Sequence, residues 1–370
     1  MVMDFASNSS YTLGVEIEFQ ILDRAEFRLV PFGPMLFEQA PNILRPRLSL
    51  EFIKSILEIR TGICTNVRDV ENDLLQTIAL AEELAEANDF LLYAASLHPF
   101  ARGVDQELTE NNRYERIMEE LQIVGRRFIS QGLHVHVGLP DGDSAIKVCN
   151  LIQPFLPIFL VLSCSSPFYQ SIDTGLMSYR TKLFEVLPLA GIYEHFRDWA
   201  HFDEVIQELA SHGIIEGFRD LWFDARPNPE LGTLEIRICD LPVRFTEILA
   251  LVAMIQSCVA WLAEEGEAAG PMSSFLLKAN KWQAARHGLE GRFIDPAGIL
   301  GAHAMQYRLA AMVLKRKLKA YAARLGSDRY LNQLDTVISG GTGADRMRHI
   351  YRRSGDFAAV VRDIHEDFWQ

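Results

Sequence analysis

Four short segments carry charged or imidazole side chains two residues apart: Glu16 and Glu18, Glu58 and Arg60, His134 and His136, Glu235 and Arg237. Carboxylate oxygen is the ligand that hard cations such as Mg²⁺ select, and an imidazole completes a site that also tolerates Mn²⁺. Arginine adds a planar, permanently charged fork suited to a phosphoryl or carboxylate group. Glu51, seven residues before Glu58, can reach the same place. Carboxylates crowded together repel one another unless cations neutralise them. The residue types therefore point to a metal site handling an anionic substrate. The plain alternative is the solvated polar face of an antiparallel sheet. Such faces are usually rich in Lys, Thr, Ser and Gln, yet no Lys falls in these segments, and Gly14 and Gly138 leave room for close approach.

The elements that must position these pairs are strands. Leu13, Val15, Ile17 and Phe19 alternate with Gly14, Glu16 and Glu18; Leu57 and Ile59 stand opposite Ile56, Glu58 and Arg60. Leu133, Val135, Val137 and Leu139 alternate with His134, His136 and Gly138, and Leu234, Ile236 and Ile238 with Thr233, Glu235, Arg237 and Cys239. Period-2 alternation puts both members of each pair on one side of a sheet and the apolar set on the other. Phe90–Ser96 reads as a short buried strand. Asn66 is an N-cap for a helix with the stripe Val67, Val70, Leu74, Ile78, Ala81 and Leu84. Further helices are expected over Asn111–Ile129, closed by Gly132, and over Lys147–Cys164, Tyr193–His212, Ile248–Glu265, Ala302–Leu325 and Ala344–Trp369. Strict βαβ alternation is absent, so the pattern predicts an α+β fold with a mainly antiparallel sheet. No linker or repeat divides the chain, which reads as one unit over residues 1–370.

Composition bounds the function. The formal charge is −13, which argues against a generic nucleic-acid or anionic-membrane binder, since either needs a basic face. Five cysteines without a CxxC argue against a disulfide framework or zinc knuckle and for a reducing, cytoplasmic setting. Met1–Ser10 has neither the basic start nor the apolar core of a signal peptide, and the apolar run Ile248–Trp261 is shorter than a membrane span. Neither a G-x-x-x-x-G-K-[ST] loop nor a G-x-G-x-x-G turn occurs. The glycine-rich run Gly340–Gly343 reads as a loop with Thr342 as N-cap. Ser163, Ser165 and Ser166 lack a nucleophile elbow. His195, His201 and His212 read as surface or packing histidines.

The chain resembles the carboxylate–amine ligases known as type 2 glutamate–cysteine ligases, which are related to glutamine synthetase. The resemblance rests on an ordered set of segments: Leu13–Glu18, Leu57–Cys64, Gly132–Gly138, Trp222–Pro227, Gly232–Arg237 and Asn280–Leu289. Gln283 stands where the family often carries Arg. The resemblance implies a glutamine-synthetase-like fold, a curved, mainly antiparallel sheet forming a funnel backed by helices. It implies ATP and Mg²⁺, with Mn²⁺ as a substitute. Glu18, Glu51 and Glu58 would hold one ion, and Glu16, His134 and Glu235 the other. Arg237 would face the transferring phosphoryl group, with His136 and Arg286 also on the nucleotide. A homodimer is a family-level expectation.

The activity so implied is ATP-dependent joining of a carboxylate to an amine through an acyl phosphate, with small amino acids as substrates. Formation of γ-glutamylcysteine, at a rate the family allows to be weak, is the specific form. The rival enzyme class is a two-metal hydrolase, which would turn over without ATP. The rival outside catalysis is a binding protein that keeps the ligase fold.

Overall fold

In the computed structural model the four alternating segments become neighbouring strands of one seven-stranded sheet. The structure describes residues 3–8, 11–267, 270–296, 298–301 and 303–370; part of the Met1–Ser10 segment and Ala302 lie outside that set. The strands are β1 (Leu13–Asp23), β2 (Leu48–Leu50), β3 (Ile56–Arg60), β4 (Phe90–Tyr93), β5 (Leu133–Gly138), β6 (Ala225–Asn228) and β7 (Thr233–Ile236). Their order is β6-β7-β5-β1-β3-β2, and every pairing in the sheet is antiparallel. The long strand β1 is shared along its length: Leu13–Ile17 pairs with β5 and Gln20–Asp23 with β4. The functional pairs therefore gather at the first half of β1.

The apolar faces behave as the alternation demands. Leu13, Val15, Ile17, Phe19, Leu57, Ile59, Leu133, Val135, Val137, Leu234 and Ile236 are buried in one core cluster. Helices cover that face. The first, α1 (Val67–Glu86), starts where expected, with Asn66 Oδ1 accepting from the N–H groups of Arg68 and Asp69 at 2.9 and 3.1 Å. The amphipathic stretch expected to run from Asn111 to Ile129 is a shorter helix, α2 (Asn112–Leu121). Gln122 takes a φ of 49°, which ends the helix, and the chain turns through Gly125–Arg127. Two helices, α3 (Gly142–Ile152) and α4 (Leu156–Ser163), replace the expected Lys147–Cys164 helix: Pro154 stands in the break, and Pro157 is tolerated in the first turn of α4. The apolar run becomes α5 (Phe245–Glu265). It is the one described helix long and apolar enough to span a membrane, and 94% of its apolar window is buried within the protein, as a core helix.

Next comes α6 (Ser274–His287), which brings the Asn280–Leu289 segment to the sheet. The stretch expected as one helix over Ala302–Leu325 holds a strand, Ala304–Gln306, and a helix, Tyr307–Arg324. The last expected helix is broken in two at Gly355, whose φ of 66° is a left-handed cap. Thr342 caps the helix after the glycine-rich run as expected, in a reciprocal box with Asp345. All five cysteines are free and buried.

His98 makes the fold sensitive to acid. Its Nδ1 accepts from the N–H of Phe100 and Ala101 at 3.3 and 3.0 Å, so Nε2 carries the hydrogen given to Phe27 O at 2.8 Å. Burial pushes its pKa down to about 4. A histidine so depressed contributes stability that is fully present above its unfolded value near 6.5 and lost as pH falls through 4. The expected contribution is about 3 kcal/mol. Urea unfolding of wild type and His98→Gln at pH 7 and pH 4 should show the larger acid loss in wild type; equal losses would remove His98 from the account.

Candidate active site

Strand register brings the functional pairs into one row. Glu16 lies opposite His134 on β5 and Arg60 on β3, and Glu18 lies opposite Glu58. Glu235 lies opposite His136 on one side and Arg226 on the other. Glu51 enters from the turn after β2, where its carbonyl accepts from Thr109 Oγ1 at 2.5 Å. Arg60 is exposed at the end of β3.

Glu16 is the centre of the row. Its two oxygens point to different rings: Oε2 is 3.1 Å from His134 Nδ1, and Oε1 is 3.4 Å from His136 Nε2. His134 Nδ1 donates to the carboxylate, which leaves the Nε2 lone pair bare, and that atom is buried with no hydrogen-bond partner. A histidine oriented by a carboxylate on one nitrogen and open on the other is built as a metal ligand is built. His136 is fixed through Nδ1 to Thr233 Oγ1 at 2.9 Å. Glu18 Oε2 accepts the Gly132 N–H at 2.7 Å.

Ligand atoms gather, within 4.8 Å of one another, in three overlapping sets: Glu18, Glu51 and Glu58; Glu16, Glu58 and His134; Glu16, His136 and Glu235. The first is the set that the family resemblance implies for one ion. The second implied set, Glu16, His134 and Glu235, does not assemble as such. Glu235 faces His136 across the β5–β7 ladder. His134 is two residues, about 6–7 Å, further along its strand and sits with Glu16 and Glu58.

The electrostatics divide the row. Burial raises the Glu51 carboxyl to about 8, helped by the charges of Glu18 and Glu16. Glu58 is pushed well above the carboxylate range by burial and by the charges of Glu16, Glu51 and Glu18. At the other end, burial works against ionisation of Glu235, but Arg226, Arg237 and His136 override it and hold the group low. Glu16 is likewise held well below its ordinary value, burial being overcome by His136 and His134. The Glu18–Glu51–Glu58 end thus has more carboxylates than neighbouring cations can balance, which is the condition a divalent ion relieves. The donor set, all oxygen with imidazole alongside, fits Mg²⁺ or Mn²⁺.

Arg237 follows β7 and pairs with Glu235 Oε1. Its backbone N–H, with that of Ile238, donates to Asp224 O at 2.9 and 3.1 Å. Arg226 grips Glu235 Oε2 through Nε at 3.1 Å and Nη2 at 2.8 Å, and it is fixed in turn by the carbonyls of Arg219 and Leu221. Arg226 is not marked by its sequence pattern, because Pro227 obscures the strand, though Arg226 and Asn228 alternate on one face. Asp224 also holds Lys281 of α6, whose Nζ is 2.8 and 2.7 Å from its two oxygens. Arg286, expected on the nucleotide, is not brought to the row; it is exposed and donates to the Gly175 carbonyl.

Comparison with known proteins gives three findings. The model of glutamate–cysteine ligase family 2 matches residues 12–363. A protein of Gloeobacter violaceus is 38% identical over 98% of both chains, and it bears the name glutamate–cysteine ligase 2 in provisional form. Among solved structures, the glutamate–cysteine ligase of Francisella tularensis in complex with AMP superposes with a TM-score of 0.71 at 13% identity, over 99% of this chain and 90% of that one. The bifunctional glutathione synthetase of Pasteurella multocida gives 0.73 at 14% identity, over 97% of this chain and 52% of that one. At such identities the structural likeness speaks for the fold, a mainly antiparallel sheet backed by helices.

Proposed function

We propose, for a chain that belongs to glutamate–cysteine ligase family 2, that the acidic row is the active site of an ATP-dependent carboxylate–amine ligase. The observation that carries the reading is the row itself: four glutamates and two histidines on one sheet face, joined by Glu51 from the turn after β2 and converging beside a guanidinium held by Glu235. Glutamate as the carboxylate and cysteine as the amine are the proposed substrates, in keeping with the names of the relatives. Small amino acids, rather than a macromolecule, are the proposed partners.

A carboxylate is a poor electrophile. Transfer of the terminal phosphoryl group of ATP to a carboxylate oxygen gives an acyl phosphate and ADP. The amine then attacks the carbonyl carbon, phosphate leaves with the electron pair of the broken C–O bond, and the amine proton passes to water. Such transfer depends on positioning and charge neutralisation more than on covalent help from the protein. Divalent ions, when bound, would neutralise phosphate charge. Glu18, Glu51 and Glu58 would hold one, and Glu16, His136 and Glu235 another, with His134 Nε2 open beside Glu16 and Glu58. Arg226 fixes Glu235, and Glu235 fixes Arg237, so the Arg237 guanidinium is set in place before the phosphoryl group moves.

Incubation with ATP, Mg²⁺ and an amino-acid panel tests the reading. ADP release should require both a carboxylate and an amine substrate. Release that needs only water would indicate a hydrolase, and no release with any pair would overturn the ligase reading.

A further inference from the structure

The third strand carries Glu58 and Arg60 as a pair, yet among the described residues only Glu58 joins a set of ligand atoms. Arg60 lies opposite Glu16 in the β1–β3 ladder, so both side chains rise on the same face. It is exposed, and among the described residues its guanidinium has neither a hydrogen bond nor a carboxylate within ion-pair distance. Arg226 and Arg237 are taken up by Glu235, and Lys281 by Asp224. The Arg60 charge does reach Glu58, where it favours ionisation against burial and the surrounding glutamates. A permanently charged fork that stands beside the acidic row and pairs with none of it is free to take an anion from solution.

Arg60 is held in place from behind. Thr61 N–H donates to Val15 O at 2.9 Å, and Thr61 Oγ1 accepts from Val15 N–H at 3.0 Å. Gly62 N–H donates to Asp73 at 2.9 Å, and Leu13 and Cys64 exchange both backbone bonds at 2.7 and 2.8 Å. Beside Arg60 the face is bare. Gly14, two residues before Glu16, has no side chain, and a Cβ there would come near only His136, at 3.5 Å. His136, opposite Gly14 on β5, is buried, and its Nε2, 3.4 Å from Glu16 Oε1, lacks hydrogen-bond geometry to any partner. Arg60 and His136 thus flank a strip floored by Gly14, their strands about 9–10 Å apart across β1.

We propose that Arg60 grips a phosphate that the reaction leaves on the nucleotide, the β-phosphate of ATP and ADP, at the exposed end of this strip. The inference rests on the ligase reading for the nucleotide. Glu16 belongs to two of the three sets of ligand atoms, so an anion lying along the strip meets both. A chain of phosphates suits that span better than a single carboxylate. Exposure assigns Arg60 to a phosphate that is retained: the transferring group needs a water-excluded place, which the more enclosed Arg237 provides. The row of glutamates and a net charge of −13 repel a polyanion, so a cation at the rim also aids its approach.

Calorimetric binding of ADP, AMP, a non-hydrolysable ATP analogue and L-glutamate to the full-length protein in Mg²⁺ tests the assignment. Arg60→Gln should weaken ADP and the ATP analogue by at least tenfold. AMP, which lacks the β-phosphate, and L-glutamate should bind within twofold of wild type. Arg60→Lys should keep most of the ADP affinity, because a point charge still serves a phosphate. Arg60 is exposed, so both variants should fold. Unchanged ADP affinity in Arg60→Gln, an equal loss for AMP, or a loss for L-glutamate in place of ADP would overturn the assignment. Amino-acid-dependent turnover with undiminished ADP binding in Arg60→Gln sinks the Arg60 subsite and leaves the ligase reading. Arg60-dependent ADP binding without turnover for any amino-acid pair sinks the ligase reading and leaves the subsite. A wild type that binds no nucleotide sinks both.

Discussion

Apparent Mg²⁺ affinity is expected to rise steeply with pH, by about fiftyfold between pH 6 and pH 8 from the Glu51 proton alone and by more where Glu58 also gives one up. The Glu51 carboxyl titrates near 8 in the metal-free protein, and Glu58 is also raised, because burial and the charges of Glu16 and Glu18 oppose their ionisation. A cation must displace those protons, so each pH unit below about 8 weakens apparent binding roughly tenfold per proton released. The linked effect on stability has the opposite sign. Native Glu51 keeps a proton that the unfolded chain gives up near 4.5, so metal-free stability falls as pH rises from there through about 8. Mg²⁺ reverses that trend by binding only the native state. Calorimetric titration with Mg²⁺ at pH 6, 7 and 8 checks the slope, and Glu51→Gln should flatten it. A pH-independent affinity would mean that these carboxylates do not hold the ion.

Arg237→Lys is expected to lower kcat by about 10²–10³, or roughly 3–4 kcal/mol, the effect of removing one preorganised electrostatic donor. Arg237 stays cationic because Glu235 overcomes the burial that would discharge it, so what lysine loses is the planar fork rather than the charge. Mg²⁺ affinity should stay near wild type. Glu235→Gln should behave differently, freeing both Arg226 and Arg237 and lowering metal affinity together with kcat. Steady-state kinetics against Mg²⁺ at fixed ATP distinguish the two. Wild-type kcat in Arg237→Lys would place the phosphoryl partner elsewhere.

The sheet was legible in the sequence because period-2 alternation is a direct imprint of one buried face. That pattern located β1, β3, β5 and β7 within a few residues and put Glu16, Glu18, Glu58, His134, His136 and Glu235 on one side. It could not say which histidine meets Glu235, since His134 and His136 share a face and only the pairing register separates them. Glu51 sits in a turn without alternation, so only its spacing from Glu58 and the family resemblance pointed to it. Arg226 hid behind Pro227 in an edge strand, where proline is tolerated. Lys281 comes from a helix whose pattern gives no hint of the sheet, and tertiary packing alone delivers it. The expected helix over Asn111–Ile129 failed for a local reason: the left-handed turn at Gln122 ends it at Leu121.

The most direct test of the account is to trap the activated carboxylate. With ATP, Mg²⁺ and L-glutamate, hydroxylamine should capture the acyl phosphate as a hydroxamate, one for each ADP released, and none should form without ATP. Release of AMP and pyrophosphate with the hydroxamate would show activation by adenylation, and ADP release without any hydroxamate would contradict the acyl-phosphate route.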